Sequence, residues 1–271
     1  MCLMSETEQQ RKERERQEDL QRLSGLRPID DDFMRCLFKD NTPLAELVLQ
    51  IITGKKDLII IDCQTQKDMK RLAGARSICL DAYGTDSENK KYDCEIQRAD
   101  KGAEPHRARY HSSVLDIENL DAGQEFKELP DTYTIFITEK DFYGKGEPIY
   151  EVERINLTTG SRFEDGEHIL YVNGEFRGDS EIGKLMHDFN CTKADDMNFD
   201  LMAERTRYLK ENLKGVQEMC KTMEDMRNEA VERNILQTIR NLMETLKLSA
   251  EEAMTAMKIS DADKVKYMAK L

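Results

Sequence analysis

Asp81 and Glu95 are the residues whose types and spacing offer chemistry together. They sit in SICLDAY (77–83) and KYDCEIQ (91–97), two β-prone runs that flank the turn-rich loop GTDSENK and so predict an antiparallel hairpin. Pairing the strands about Glu88 places Asp81 opposite Glu95, Cys79 opposite Gln97 and Tyr83 opposite Asp93. Directly opposed residues share a face with Cβ atoms about 5 Å apart. Alternation puts Glu95 and Gln97 on one face and Cys94 and Ile96 on the other. Two carboxylates that close repel, so they need a cation, a shared proton or solvent between them. A hard divalent ion such as Mg2+ or Mn2+, bound through oxygen, meets the first need. The backbone carbonyl of Ile96, between the two polar side chains, can supply another ligand. The plainer alternative is an ordinary hairpin with acids on a solvated face.

Several elements must position these residues. Asp30-Asp31-Asp32 before FMRCLF, and Asn41-Thr42-Pro43 before LAELVLQIIT with Gly54 after it, predict two consecutive helices. LIIID (58–62) predicts a strand, and KDMKRL after it a helical turn. Pro105 opens a helix over HRARYHSSVLD, and Tyr133–Thr138 reads as a buried strand. HILYV, Asn173-Gly174 and EFRG predict a second hairpin on a type I′ turn, making a small meander with IYEVERINL. Beyond about residue 200 apolar residues recur at three and four, from Met219 to Leu246, predicting a helical hairpin or coiled-coil arm. Two cap-like starts at Ser249 and Ser260 then predict a short helix pair. That pair is a packing cap or a helix-turn-helix, and its scarcity of base-reading side chains favours the cap.

The chain has 271 residues, 41 Lys+Arg and 54 Asp+Glu, for a net charge of −13. Bulk attraction to nucleic acid or acidic lipid is thereby excluded, so any phosphate contact must rest on a local basic patch or a metal. No run approaches the roughly 18 apolar residues of a membrane span and no signal peptide is visible, which predicts a cytoplasmic protein without a membrane partner. Seven widely spaced cysteines without a CxxC pair predict reduced thiols, with neither a disulfide framework nor a zinc ribbon. There is no HExxH, GxxxxGK[ST] or GxSxG, and Gly144-Lys145-Gly146 reads as a surface turn.

The only locally basic stretch near the acids runs from Arg98 and Lys101 to Arg107, Arg109 and Tyr110, which makes these five the candidates for holding DNA phosphate. Surface ion pairs with Asp100 or Glu104 account for them equally well. His106 and His111, five apart, suit no one-face metal pair and read as solvated.

LDAY…YDCEIQRADKGAEPHRARYHSSVLD, GQEFKELPDTYTIFITEKDFYGKGEPIYEVER, HILYVNGEFRG and IGKLMHDFNCTKADDM together resemble the PD-(D/E)XK nuclease family transposases, relatives of the recombination-promoting nucleases, over roughly residues 28 to 210. The resemblance implies an α/β fold, a restriction-endonuclease-like mixed sheet flanked by helices, here with a helical C-terminal extension. The organisation expected is a charged leader (1–25), helical or disordered, a nuclease-like domain (26–212) and a helical region (213–271). Asp81 then matches the motif aspartate, Glu95 the second acid and Gln97 the place usually held by lysine, while Leu80 stands where the name-giving proline would be. Asp81, Glu95 and the Ile96 carbonyl would hold the metal and Gln97 would orient water; Glu46, on the second helix, is a further candidate ligand. The implied function is a metal-dependent DNA endonuclease linked to transposition or recombination. Its rival is a catalytically idle fold that binds a partner, or a second copy of itself, through the C-terminal helices.

Overall fold

The computed structural model describes residues 8–69, 78–97 and 102–271, with backbone alone at 66–69, 78–81, 96 and 97. The charged leader forms a helix, α1 (Glu8–Leu23), that buries Asp19 and Leu23. The two predicted helices follow as α2 (Asp31–Phe38) and α3 (Thr42–Thr53). Pro43 opens α3, and Gly54 closes it in the left-handed conformation that a residue without Cβ adopts freely.

Six strands form one mixed sheet: β1 (Ile60–Met69), β2 (Ile78–Asp86), β3 (Lys91–Gln97), β4 (Thr132–Thr138), β5 (Ile149–Val152) and β6 (Glu167–Asn173). Their spatial order is β1-β2-β3-β4-β6-β5. β3, β4 and β6 run parallel, while β1, β2 and β5 are antiparallel to their neighbours. KDM, expected to turn helical, instead extends β1 to Met69. β1 is an edge strand, and an edge accepts polar residues because half of its backbone and one flank face water.

The β2–β3 register is the expected one, with Ala82 against Cys94, Tyr83 against Asp93, Gly84 against Tyr92 and Thr85 against Lys91. Asp86 holds it at the turn. Its Oδ1 accepts from the amides of Glu88 and Lys90, both at 2.9 Å, and its Oδ2 accepts from the Tyr92 hydroxyl at 2.7 Å. Asn89 takes the left-handed backbone that lets the chain reverse.

The predicted Asn-Gly hairpin is absent from its place. β6 pairs with β5 on one side and β4 on the other, and the chain after Asn173 does not return as a strand. Gly174 is required for closeness rather than for a turn. Its amide donates to the Thr138 carbonyl at 2.8 Å, and a Cβ there would stand 2.4 Å from that oxygen. Gly174→Ala is therefore expected to destabilise the protein by about 1–3 kcal/mol, the usual cost of overpacking. A urea unfolding midpoint equal to wild type would contradict this.

Helices cover both faces of the sheet. Ala45, Val48 and Leu49 of α3 line a small apolar gap with Ala82, Gly84, Tyr92 and Cys94, so α3 lies on the Cys94 face. On the opposite face lies α4 (Pro105–Asn119), which begins at Pro105 as expected and buries Ala108, His111, Ser112 and Leu115. α5 (Glu181–Phe189) and α6 (Asp200–Glu211) complete the helices around α3.

The chain divides into compact units at Met219/Cys220. In place of a helical hairpin, Leu213–Leu246 is one continuous 34-residue helix, α7. Within the second unit, α8 (Ala250–Ala256) and α9 (Asp261–Met268) carry the expected serine caps, and Ala253, Met254 and Tyr267 bury against Ile239. The short pair is thus a packing cap on its own unit.

Candidate active site

Strand alternation determines what meets α4. Asp93 and Glu95, two residues apart on β3, point to the α4 face, where they are 0% and 1% exposed. Two carboxylates so deeply buried are costly unless paired, and burying ions seldom adds net stability.

α4 supplies the counter-groups one helical turn apart. Arg107 donates from its terminal nitrogen to Glu95 Oε2 at 2.8 Å. His111 stands 2.9 Å by Nδ1 from Asp93 Oδ2, and the Arg107 Nε–H donates to its Nε2 at 3.2 Å. With Nε2 toward the guanidinium, Nδ1 is the ring nitrogen that faces Asp93. His111 thus links Asp93 to Arg107. Phe136, beside Glu95 in the β3–β4 ladder, packs against the imidazole with ring centroids 5.9 Å apart and closes the site from below.

The expected residues fall as follows. Asp81 lies in β2 immediately before Ala82, and Ile96 and Gln97 end β3, paired along the backbone with Ile137 and Thr138 of β4. Arg98 and Lys101 lie outside the described residues. Arg107 reaches Glu95; Arg109 is exposed on α4; Tyr110 packs with Tyr83 and Leu115 and serves the core. Glu46 does not join Glu95. Its carboxylate accepts the Ile60 amide at 2.9 Å and fixes the start of β1, from a helix on the sheet's other face. His106 is exposed as expected, but His111 is 2% exposed and is the residue the sequence misjudged. The signal was the Arg107–His111 spacing of four, which places both on one helix face, together with the alternation that puts Asp93 beside Glu95.

The donors suit a divalent cation. An oxygen each from Asp93 and Glu95 and a nitrogen of His111 lie within 4.8 Å of one another. Nucleophilic thiol chemistry is disfavoured: burial pushes the thiols of Cys63 and Cys191 up to about 11.

The family model of the PD-(D/E)XK nuclease family transposases matches residues 39–267. The chain belongs to that family. The match extends beyond the roughly 28–210 of the sequence resemblance and takes in α7, α8 and most of α9. No curated protein and no solved structure matches the chain. The mixed sheet between helices is the architecture expected of a PD-(D/E)XK nuclease, a class that typically uses a divalent metal. No helix among the described residues is long and apolar enough to cross a membrane.

Proposed function

We propose that this family member is a magnesium-dependent DNA endonuclease, with manganese as a substitute, that hydrolyses phosphodiester bonds during transposition or recombination. The observation that carries the reading is the buried cluster of Asp93, Glu95 and His111 on the α4 face, whose ligand atoms lie within 4.8 Å of one another. Two carboxylates held this close on a buried face are a donor set that a hard dication would suit.

Asp81, Glu95 and the Ile96 carbonyl would hold the ion. The β2–β3 pairs keep a constant register from Thr85 to Ala82, and one further step in that register would set Asp81 against Glu95. When bound, the ion lowers the pKa of the attacking water and polarises the phosphoryl oxygen.

The chain's own groups do the rest. The Gln97 carbonyl can accept a hydrogen bond from the water and so aim it, but adds no charge. Arg107 compensates for that lack: it places a permanent positive charge beside Glu95, where it can meet a phosphoryl oxygen. Arg109, exposed two residues on, is placed for a flanking phosphate. With a net charge of −13, DNA contact should be local, centred between Asp81 and Tyr110, and strongly weakened by salt.

Gln97 in the lysine's place and Arg107 seated on Glu95 favour a second reading, an idle nuclease fold that only binds. Purified protein with supercoiled plasmid separates the two. Nicking that requires magnesium and stops on chelation is expected. Binding of neither magnesium nor manganese by calorimetry, with no nicking, would establish the idle module.

A further inference from the structure

On the sheet face that carries Glu95, the strand register leads from the acids to a cavity. Glu95 pairs with Phe136 of β4, and Phe136 with Tyr171 of β6. Neighbouring strands lie about 4.8 Å apart, so the backbones at Glu95 and Tyr171 are about 10 Å apart. Beside Tyr171 is a cavity of about 220 Å³, lined by Ala108 and Arg109 of α4, by Tyr143, and by Ile169 and Tyr171 of β6. We propose that this cavity takes one unstacked nucleobase of the DNA strand whose phosphate is held at Glu95, which rests on the endonuclease reading above. About 10 Å is roughly three nucleotide steps along a B-form strand, at about 3.4 Å each. The base would come from within that distance of the cut.

The lining suits a base better than a phosphate. Tyr143 is 41% exposed, a large aromatic ring open to solvent. Its loop is held by Asp141, which accepts from the amides of Tyr143 at 3.1 Å, Gly144 at 2.9 Å and Gly146 at 2.7 Å, and from the Tyr150 hydroxyl at 2.8 Å. The ring is thus presented on a fixed loop, as a stacking platform requires. Tyr171 is 2% exposed, and its hydroxyl is buried with no hydrogen-bond partner among the described residues. Such orphaned groups are rare, and a nitrogen or oxygen of a base would supply the partner. Phe136 and Phe142 already stack with the Tyr171 ring, at centroid distances of 5.5 and 4.8 Å, so it offers a ligand its hydroxyl and not its face. A phosphate inside the cavity would meet the carboxylates of Glu153 and Glu167, which Arg162 and Arg154 already pair. The cation left for a phosphate is Arg109, exposed and without an ion pair among the described residues. A base inside, with its own phosphate outside on Arg109, satisfies both. The volume also lies below the roughly 300–1,000 Å³ of drug-sized sites, which suits one ring system and excludes a whole nucleotide.

Two duplexes that differ by one base test this. One carries a single unpaired nucleotide, whose base costs least to unstack, and the other carries an abasic nucleotide at the same place. Binding to full-length protein is measured in calcium, with the strands checked for cleavage on a gel. The duplex with the base should bind about 5- to 150-fold more tightly, the worth of one base–aromatic stack. Tyr143→Ala should equalise the two. Tyr171→Phe should lower the preference by about 2- to 10-fold. Its melting temperature should not fall, because the hydroxyl it removes has no partner among the described residues to lose. Equal binding of both duplexes by wild type, or a preference that survives in folded Tyr143→Ala protein, would overturn the base site and leave the endonuclease reading standing. Binding of neither duplex would overturn both.

Discussion

Glu95→Gln is expected to eliminate magnesium-dependent nicking, with a loss of at least about 10³-fold under single-turnover conditions. The substitution keeps the shape of the side chain and an oxygen that can accept from Arg107, so the α4 contact survives. What it removes is the charge that would bind the ion. The stability change should be small, because Arg107 is 39% exposed and water can solvate its guanidinium once the partner is neutral. Loss of activity with an unchanged melting curve separates a chemical role from a packing role. Calorimetry should show the carboxylate-dependent metal site gone. Asp81→Ala should match it, and the double variant should be no worse than either alone, since groups that act on one ion are not additive. Retained magnesium-dependent nicking in folded Glu95→Gln protein would remove Glu95 from the mechanism.

The hairpin was legible in the sequence because its signals are local. Asp86 and Asn89 carry their own turn chemistry, and β-prone runs on either side fix the pairing that follows. The same locality explains the misreadings. Asn173-Gly174 has the composition of a tight turn, yet the requirement on Gly174 comes from Thr138, thirty-six positions away in the chain. KDM looks too polar for a strand until β1 proves to be an edge. His111 looked solvated because nothing in HRARYHSS announces which face meets the sheet; that is decided by Phe136 and Asp93, on two strands distant in sequence. Glu46 was plausible as a ligand only while the two faces of the sheet could not be told apart. Glu95 was thus readable from spacing, whereas Asp93 beside it and their partners Arg107 and His111 became visible only once α4 was laid across the sheet.

Those partners lead to the most discriminating variant. Arg107→Ala should lower nicking by about 10²- to 10³-fold, the range for removing one preorganised charged donor from a developing anion. Metal affinity should move the other way: without the guanidinium, Glu95 Oε2 loses a competitor for the cation. In the absence of metal the variant should be less stable by about 1–3 kcal/mol, because a buried carboxylate has lost a charged donor. Magnesium should restore that stability, so the metal-induced rise in melting temperature should be larger in Arg107→Ala than in wild type. Arg107→Lys should recover part of the rate, because it returns the charge without the fork that also reaches His111. An idle binding fold makes a different set of results: Arg107→Ala would be destabilised in the same way, magnesium would not rescue it, and there would be no nicking to lose. A variant that nicks as fast as wild type would show instead that Arg107 only neutralises Glu95, and that the charge missing at Gln97 has no substitute on α4.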